Sequence, residues 1–226
     1  ALQMHRRLGN IEGEASALHN LAEIHRGLNS PRKAVSFYEK SLQLSWARQD
    51  YQRQSLSLYG MAHALRQLDQ SQRALETYRQ TLKQAELARD NILLSRVHHE
   101  TATLLTELGD LDSAFNAMHQ AVDVSRESGY TTGLAHSLVG LAYLHTRQGK
   151  SEEARIAFKE AIECFKLLED GASLEYVSKT IKELDVKYEI EQPPPNLGWV
   201  KTYVTLNEGK VYCEFESPLA TQKLSL

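Results

Sequence analysis

One period governs this sequence. Ala22, Ala62, Ala102 and Ala142 recur every forty residues, and twelve residues after each comes a second alanine, Ala34, Ala74, Ala114 and Ala154. Four residues further on stand Tyr38, Tyr78, Met118 and Phe158, and four beyond those Leu42, Leu82, Val122 and Ile162. A spacing of four stacks side chains on one face of a helix. Each period therefore predicts a helical hairpin. Small residues at two fixed points let its helices approach closely, and a large apolar residue one turn later fills the gap to the neighbour. Such a unit cannot bury its face alone, so the repeats are expected to stack into one continuous core.

The breaks support the same register. Leu28-Asn29-Ser30-Pro31, Leu68-Asp69-Gln70-Ser71, Leu108-Gly109-Asp110 and Gln148-Gly149-Lys150-Ser151 occupy equivalent turns, each offering a residue tolerant of left-handed backbone and then a candidate N-cap. Pro31 stands where a first helical turn accepts proline. A second set of turns falls at Gln49-Asp50, Arg89-Asp90 and Gly129-Tyr130. Leu2 is the equivalent of Leu42, so residues 1–10 read as the end of a preceding second helix, and a further repeat upstream is expected. Ala172 to Lys187, with Leu174, Val177, Ile181 and Leu184 at helical spacing, reads as a terminal covering helix.

With Ser41, Thr81, Ala121 and Ala161 added as a third small position, the pattern resembles the tetratricopeptide repeat, in the longer, forty-residue variety seen in kinesin light chains and bacterial regulators. The resemblance spans residues 1–187. It implies an all-α fold, a right-handed superhelical solenoid of antiparallel helix pairs comprising the end of one repeat, four full repeats and a capping helix. It also implies a non-catalytic scaffold whose first helices line a concave, peptide-binding groove. Carried onto this chain, the family's contact positions single out His19, Glu23, Arg26, Tyr59, His63, Arg66, Arg96, His99, Thr103, His136, Tyr143 and Arg147. The asparagine by which many forty-residue arrays hold a ligand backbone is present only as Asn20; Gly60, Glu100 and Gly140 take its place elsewhere. The lysine and asparagine clamp of chaperone-tail binders is missing. Arginine with tyrosine and histidine suits an acidic or mixed-charge peptide, because guanidinium pairs carboxylates bidentately.

Beyond residue 187 the pattern changes. Pro193-Pro194-Pro195 cannot continue a helix, and residues 188–197 are expected to form an extended linker. In the stretch 198–226, Trp199, Thr202 and Val204, then Val211, Cys213 and Phe215, alternate around Asn207-Glu208-Gly209, which predicts a β-hairpin tail. These residues resemble the central hairpin of a small ferredoxin-like family that includes a nickel-responsive bacterial protein, so a truncated second module is one expectation. A hairpin packed on the capping helix is the other, because two strands alone are marginal in water.

Little in the chain points to chemistry. Gly149-Lys150-Ser151 mimics the end of a phosphate-binding loop, but position 144 is Leu where the motif needs glycine, and Ser151 is expected instead to cap a helix. The nine histidines form neither HExxH nor a Cys/His frame, so no metal and no cofactor are expected; His25 and His145 read as helix-packing residues. No serine, cysteine or carboxylate is recognisably paired with a base. A net charge of −3 argues against sequence-independent nucleic-acid binding, and no apolar run reaches membrane-spanning length. Two cysteines without disulfide spacing fit a reducing, cytoplasmic setting. The expected function is a protein or peptide scaffold within a larger bacterial regulatory protein. The alternative is a sensor or relay segment whose tail binds a metal or small molecule.

Overall fold

The structure is a computed structural model that describes residues 1–191, 202–207 and 210–215, with side chains as far as residue 183. It divides into two compact units, Ala1–Val177 and Ser178–Leu226. The helices are α1 (Leu2–Arg7), α2 (Ile11–Gly27), α3 (Pro31–Arg48), α4 (Tyr51–Arg66), α5 (Ser71–Ala88), α6 (Asn91–Glu107), α7 (Leu111–Ser128), α8 (Thr131–Arg147), α9 (Ser151–Leu167) and α10 (Gly171–Glu191). Each helix of a pair packs mainly on its sequence neighbour, and α2 touches α4 as α6 touches α8. Such nearest-neighbour packing is that of a helical repeat array.

The small positions behave as the period requires. Ala22, Ala62, Ala102 and Ala142 on the first helices and Ala34, Ala74, Ala114 and Ala154 on the second are all fully buried, and Ala62 and Ala74 belong to one apolar cluster with Leu65, Tyr78 and Val97. Tyr38, Tyr78, Met118 and Phe158 fill the interior between repeats. One turn further, Leu42 and Val122 are buried while Leu82 and Ile162 are only partly covered.

The turns follow one template. The residue that ends each hairpin turn is left-handed: Asn29, Asp69, Gly109 and Gly149, with φ of 52°, 59°, 84° and 73°. The second set does the same at Gln49, Arg89, Gly129 and Glu169. A single connecting residue then precedes the next helix. Consequently Ser151, expected as an N-cap, is the first helical residue, and Lys150 is the cap without a side-chain bond. The Lys150 N–H is drawn back to the His145 carbonyl at 3.0 Å, which closes the turn one residue earlier than the sequence suggested. Side-chain caps form at Asp50, Asp90, Asp110 and Asp170, each accepting from the N–H three residues on. Pro31 occupies the first turn of α3 as expected.

In the second unit, β1 (Thr202–Asn207) and β2 (Lys210–Phe215) pair antiparallel, with Thr202 opposite Phe215 and Asn207 opposite Lys210. The helix α10 reaches Glu191, past the expected array limit at residue 187 and into the first residues of the expected linker. The triple proline and the expected turn residues Glu208 and Gly209 lie outside the described residues. Among the described residues no helix is long and apolar enough to cross a membrane.

Candidate functional site: the first-helix face

All thirteen expected groove residues lie on α2, α4, α6 and α8. Contacts between these helices tie them into one face. His19 Nδ1 on α2 lies 3.1 Å from Ser57 Oγ on α4, and its equivalent two repeats later, His99 on α6, approaches Ser137 on α8 at 3.5 Å. The repeat period thus reappears as a repeated histidine–serine contact. Burial lowers the pKa of His19 and His63, and pushes that of His99 down to about 4, so these rings are neutral at pH 7.

Charge is distributed unevenly along this face. At its N-terminal end Arg26 donates to Glu23 at 2.6 Å, and Glu23 also accepts from the Tyr38 hydroxyl. Burial alone raises the Glu23 carboxyl, but the bonds from Arg26 and Tyr38 outweigh it and hold its pKa below the ordinary value. Gly60 makes that contact possible, because a Cβ there would strike both the Tyr38 hydroxyl and the Glu23 carboxylate. In the middle, Arg66 Nη1 donates to Glu100 at 2.7 Å and Nη2 to Glu107 at 2.8 Å. A cavity of about 370 Å³ opens beside it, lined by Arg26, His63, Arg66 and Glu107 among others. A larger one, about 480 Å³, lies among Glu12, Arg48, Asp50 and Arg53 and includes none of the expected groove residues.

Arg66 is thus engaged at both ends of its guanidinium within this chain. Both of its forked ends are taken by carboxylates of the next repeat. Glu100 is the residue that sequence reasoning missed. Its signal was there: it stands where the neighbouring repeats carry Gly60 and Gly140, so a charged side chain at that position needed a partner.

Toward α8 the picture changes. Arg96 lies over the Tyr59 ring, 4.9 Å from its centroid, and Tyr59 is in turn edge-on to His63 at 4.5 Å. Arg147 donates to the Thr106 carbonyl at 3.3 Å. Tyr143 and Tyr176 share a hydroxyl contact of 2.6 Å, and His136 packs edge-on to Phe165. Arg96, His136, Tyr143 and Arg147 are exposed, as is Asn20; His19, Glu23, Arg26, Tyr59, His63, Arg66, His99 and Thr103 are partly covered. Thr103 turns its hydroxyl to the His99 carbonyl, 3.0 Å away on its own helix.

Outside this face, His25 stacks on Phe37 and His145 packs against Phe115, both as helix-packing residues. His63 meets Tyr59 and Tyr78, while His99 meets Ser137. Among the described residues no three His, Cys, Asp or Glu gather so as to hold a metal ion.

Residues 15–45 and 93–166 each match a model of the tetratricopeptide repeat. Among solved structures the chain is similar to the apo form of RapI, with a TM-score of 0.67 at 16% identity over 80% of this chain and 48% of RapI. It is similar to aspartyl phosphate phosphatase F from Bacillus subtilis, with a TM-score of 0.68 at 14% identity, again over 80% of this chain and 48% of the other. BtubC from P. vanneervenii aligns with 92% of this chain and 94% of its own, with a TM-score of 0.62 at 15% identity. The chain thus spans about half the length of RapI and of the phosphatase. No curated protein matches it by sequence. At these identities the structural likeness speaks to fold. Together with the two repeat matches it supports a tetratricopeptide-repeat family, whereas nothing in it supports the ferredoxin-like, nickel-responsive reading of the tail.

Proposed function

From an array of tetratricopeptide repeats as the premise, we propose that this chain is a non-catalytic, cytoplasmic scaffold that binds a protein segment along its first-helix face. The observation that carries this reading is the face itself. The first helices α6 and α8 carry exposed cations and aromatic rings, Arg96, His136, Tyr143 and Arg147, on a frame of fully buried alanines. A rigid frame lowers the ordering cost of binding. The ligand favoured by this chemistry is an acidic or mixed-charge peptide, met in a concave groove. We place the scaffold in a regulatory setting within a longer protein; RapI and the aspartyl phosphate phosphatase, of each of which the chain spans 48%, share its fold.

The test is selection of peptides on the immobilised chain from a random library, followed by calorimetry. Binding should be lost when Tyr143→Ala and Arg96→Ala are combined, with helical circular dichroism unchanged. Peptides whose affinity ignores every first-helix substitution would place binding elsewhere.

A further inference from the structure

The arginines of the first-helix face fall into two chemically different pairs. Arg26 and Arg66 are partly covered and already bonded to carboxylates of this chain, Glu23 for the one, Glu100 and Glu107 for the other. Arg96 and Arg147 are exposed, and the contacts they make are with a ring and a carbonyl, the Tyr59 face and Thr106 O. A guanidinium over an aromatic face or on a carbonyl keeps its full charge, whereas one on two carboxylates is neutralised locally. An incoming carboxylate at Arg66 has to displace Glu100 or Glu107, and one at Arg96 or Arg147 displaces neither.

We propose that recognition of an acidic partner is carried by the α6–α8 half of the face, with Arg96 and Arg147 as the two carboxylate-binding groups and His136 beside them on α8, and that Arg66 is a positioning residue that holds successive repeats in register while Arg26 is engaged by Glu23 within its own helix. This rests on the groove reading given above and assigns the chemistry within it. Arg96 stands in the first half of α6, and Thr106, whose carbonyl accepts from Arg147, near its end; ten helical steps of about 1.5 Å each put these two positions of α6 roughly 15 Å apart along its axis. The occupant is an acidic polypeptide segment carrying two carboxylate clusters at about that separation. A nucleic acid fits poorly, because the paired arginines beside this half sit with glutamates that repel a continuous line of phosphates. Asp170, which caps the start of α10, interacts electrostatically with His136.

The experiment uses the full chain and a random peptide library, with fluorescent polyglutamate and polylysine as direct probes. Selected peptides should be rich in aspartate and glutamate, polyglutamate should bind and polylysine should not, and Arg96→Gln with Arg147→Gln should weaken binding about tenfold or more. The same loss of charge on α5, through Arg79→Gln with Lys83→Gln, should leave affinity within about twofold, which separates local recognition from a net-charge effect. Arg66→Gln should lower stability more than affinity. Acid-poor peptides that still depend on Tyr143, or a larger affinity loss at Arg66 than at the Arg96 and Arg147 pair, would overturn this assignment and leave the groove reading standing. Absence of any peptide whose binding responds to first-helix substitutions would overturn both.

Discussion

The Arg66 guanidinium on α4 and the Glu100 carboxylate on α6 lie 2.7 Å apart, joining one repeat to the next across the face on which a ligand would sit. Their side chains are 21% and 26% exposed, so this pair is shielded from water far better than the second bond of Arg66, to Glu107, whose side chain is 54% exposed. Removing a partner from a shielded, charge-assisted bond costs more than removing an exposed one.

Glu100→Gln should therefore destabilise the array by about 1–2 kcal/mol, and Glu107→Gln by less than about 0.5 kcal/mol. Urea denaturation followed by circular dichroism measures both. Equal effects would show that the Arg66–Glu100 bond is no better protected than its neighbour.

Gly60→Ala should cost more than Gly140→Ala. At residue 60 the new methyl meets the Tyr38 hydroxyl and the Glu23 carboxylate, a fixed ring and a bonded acid, while at residue 140 it meets the end of the Met118 side chain, which can swing aside. The expected difference is about 1–2 kcal/mol in unfolding free energy, on the scale of overpacking in a close contact. A thermal melt of the two variants reads it, and the reverse order would contradict the role given to Gly60.

Ala74→Leu should lower the melting temperature. The residue is fully buried in the contact with Ala62, Leu65 and Tyr78, and extra methylenes in such a contact cost about 1–3 kcal/mol. The same change at the exposed Arg79 should be nearly neutral, and a comparable melt for both would show that the forty-residue register is misplaced.

Acidification should unfold the array through its histidines. In the folded chain His99 titrates near 4, below the 6.5 of an unperturbed ring, because burial disfavours the charged form. Between those values the unfolded chain holds a proton that the folded one does not, so stability falls as pH drops from about 6.5 toward 4. His19, His63 and His98 are lowered for the same reason and add to the slope. His99→Gln should flatten it by as much as about 1.4 kcal/mol per pH unit. An unchanged pH dependence of the urea midpoint would mean that His99 is protonated in the folded state.

The hairpins, their register and their small-residue contacts were legible in the sequence because they depend on periods of four, twelve and forty residues, and a period is a one-dimensional property that the chain carries into any helix it forms. So were the helix-packing roles of His25 and His145, which follow from position within the repeat. The candidate site was legible only as a set of positions. That Arg66 is held by Glu100 and Glu107 while Arg96 and Arg147 meet a ring and a carbonyl was decided between residues 34 to 41 apart, by which groups the stacking of one hairpin on the next brings into contact. The same stacking gave His99 its depressed pKa and Gly60 its tight neighbours. Electrostatic pairing and burial depend on distance and on exclusion of water, and both exist only once neighbouring repeats have packed.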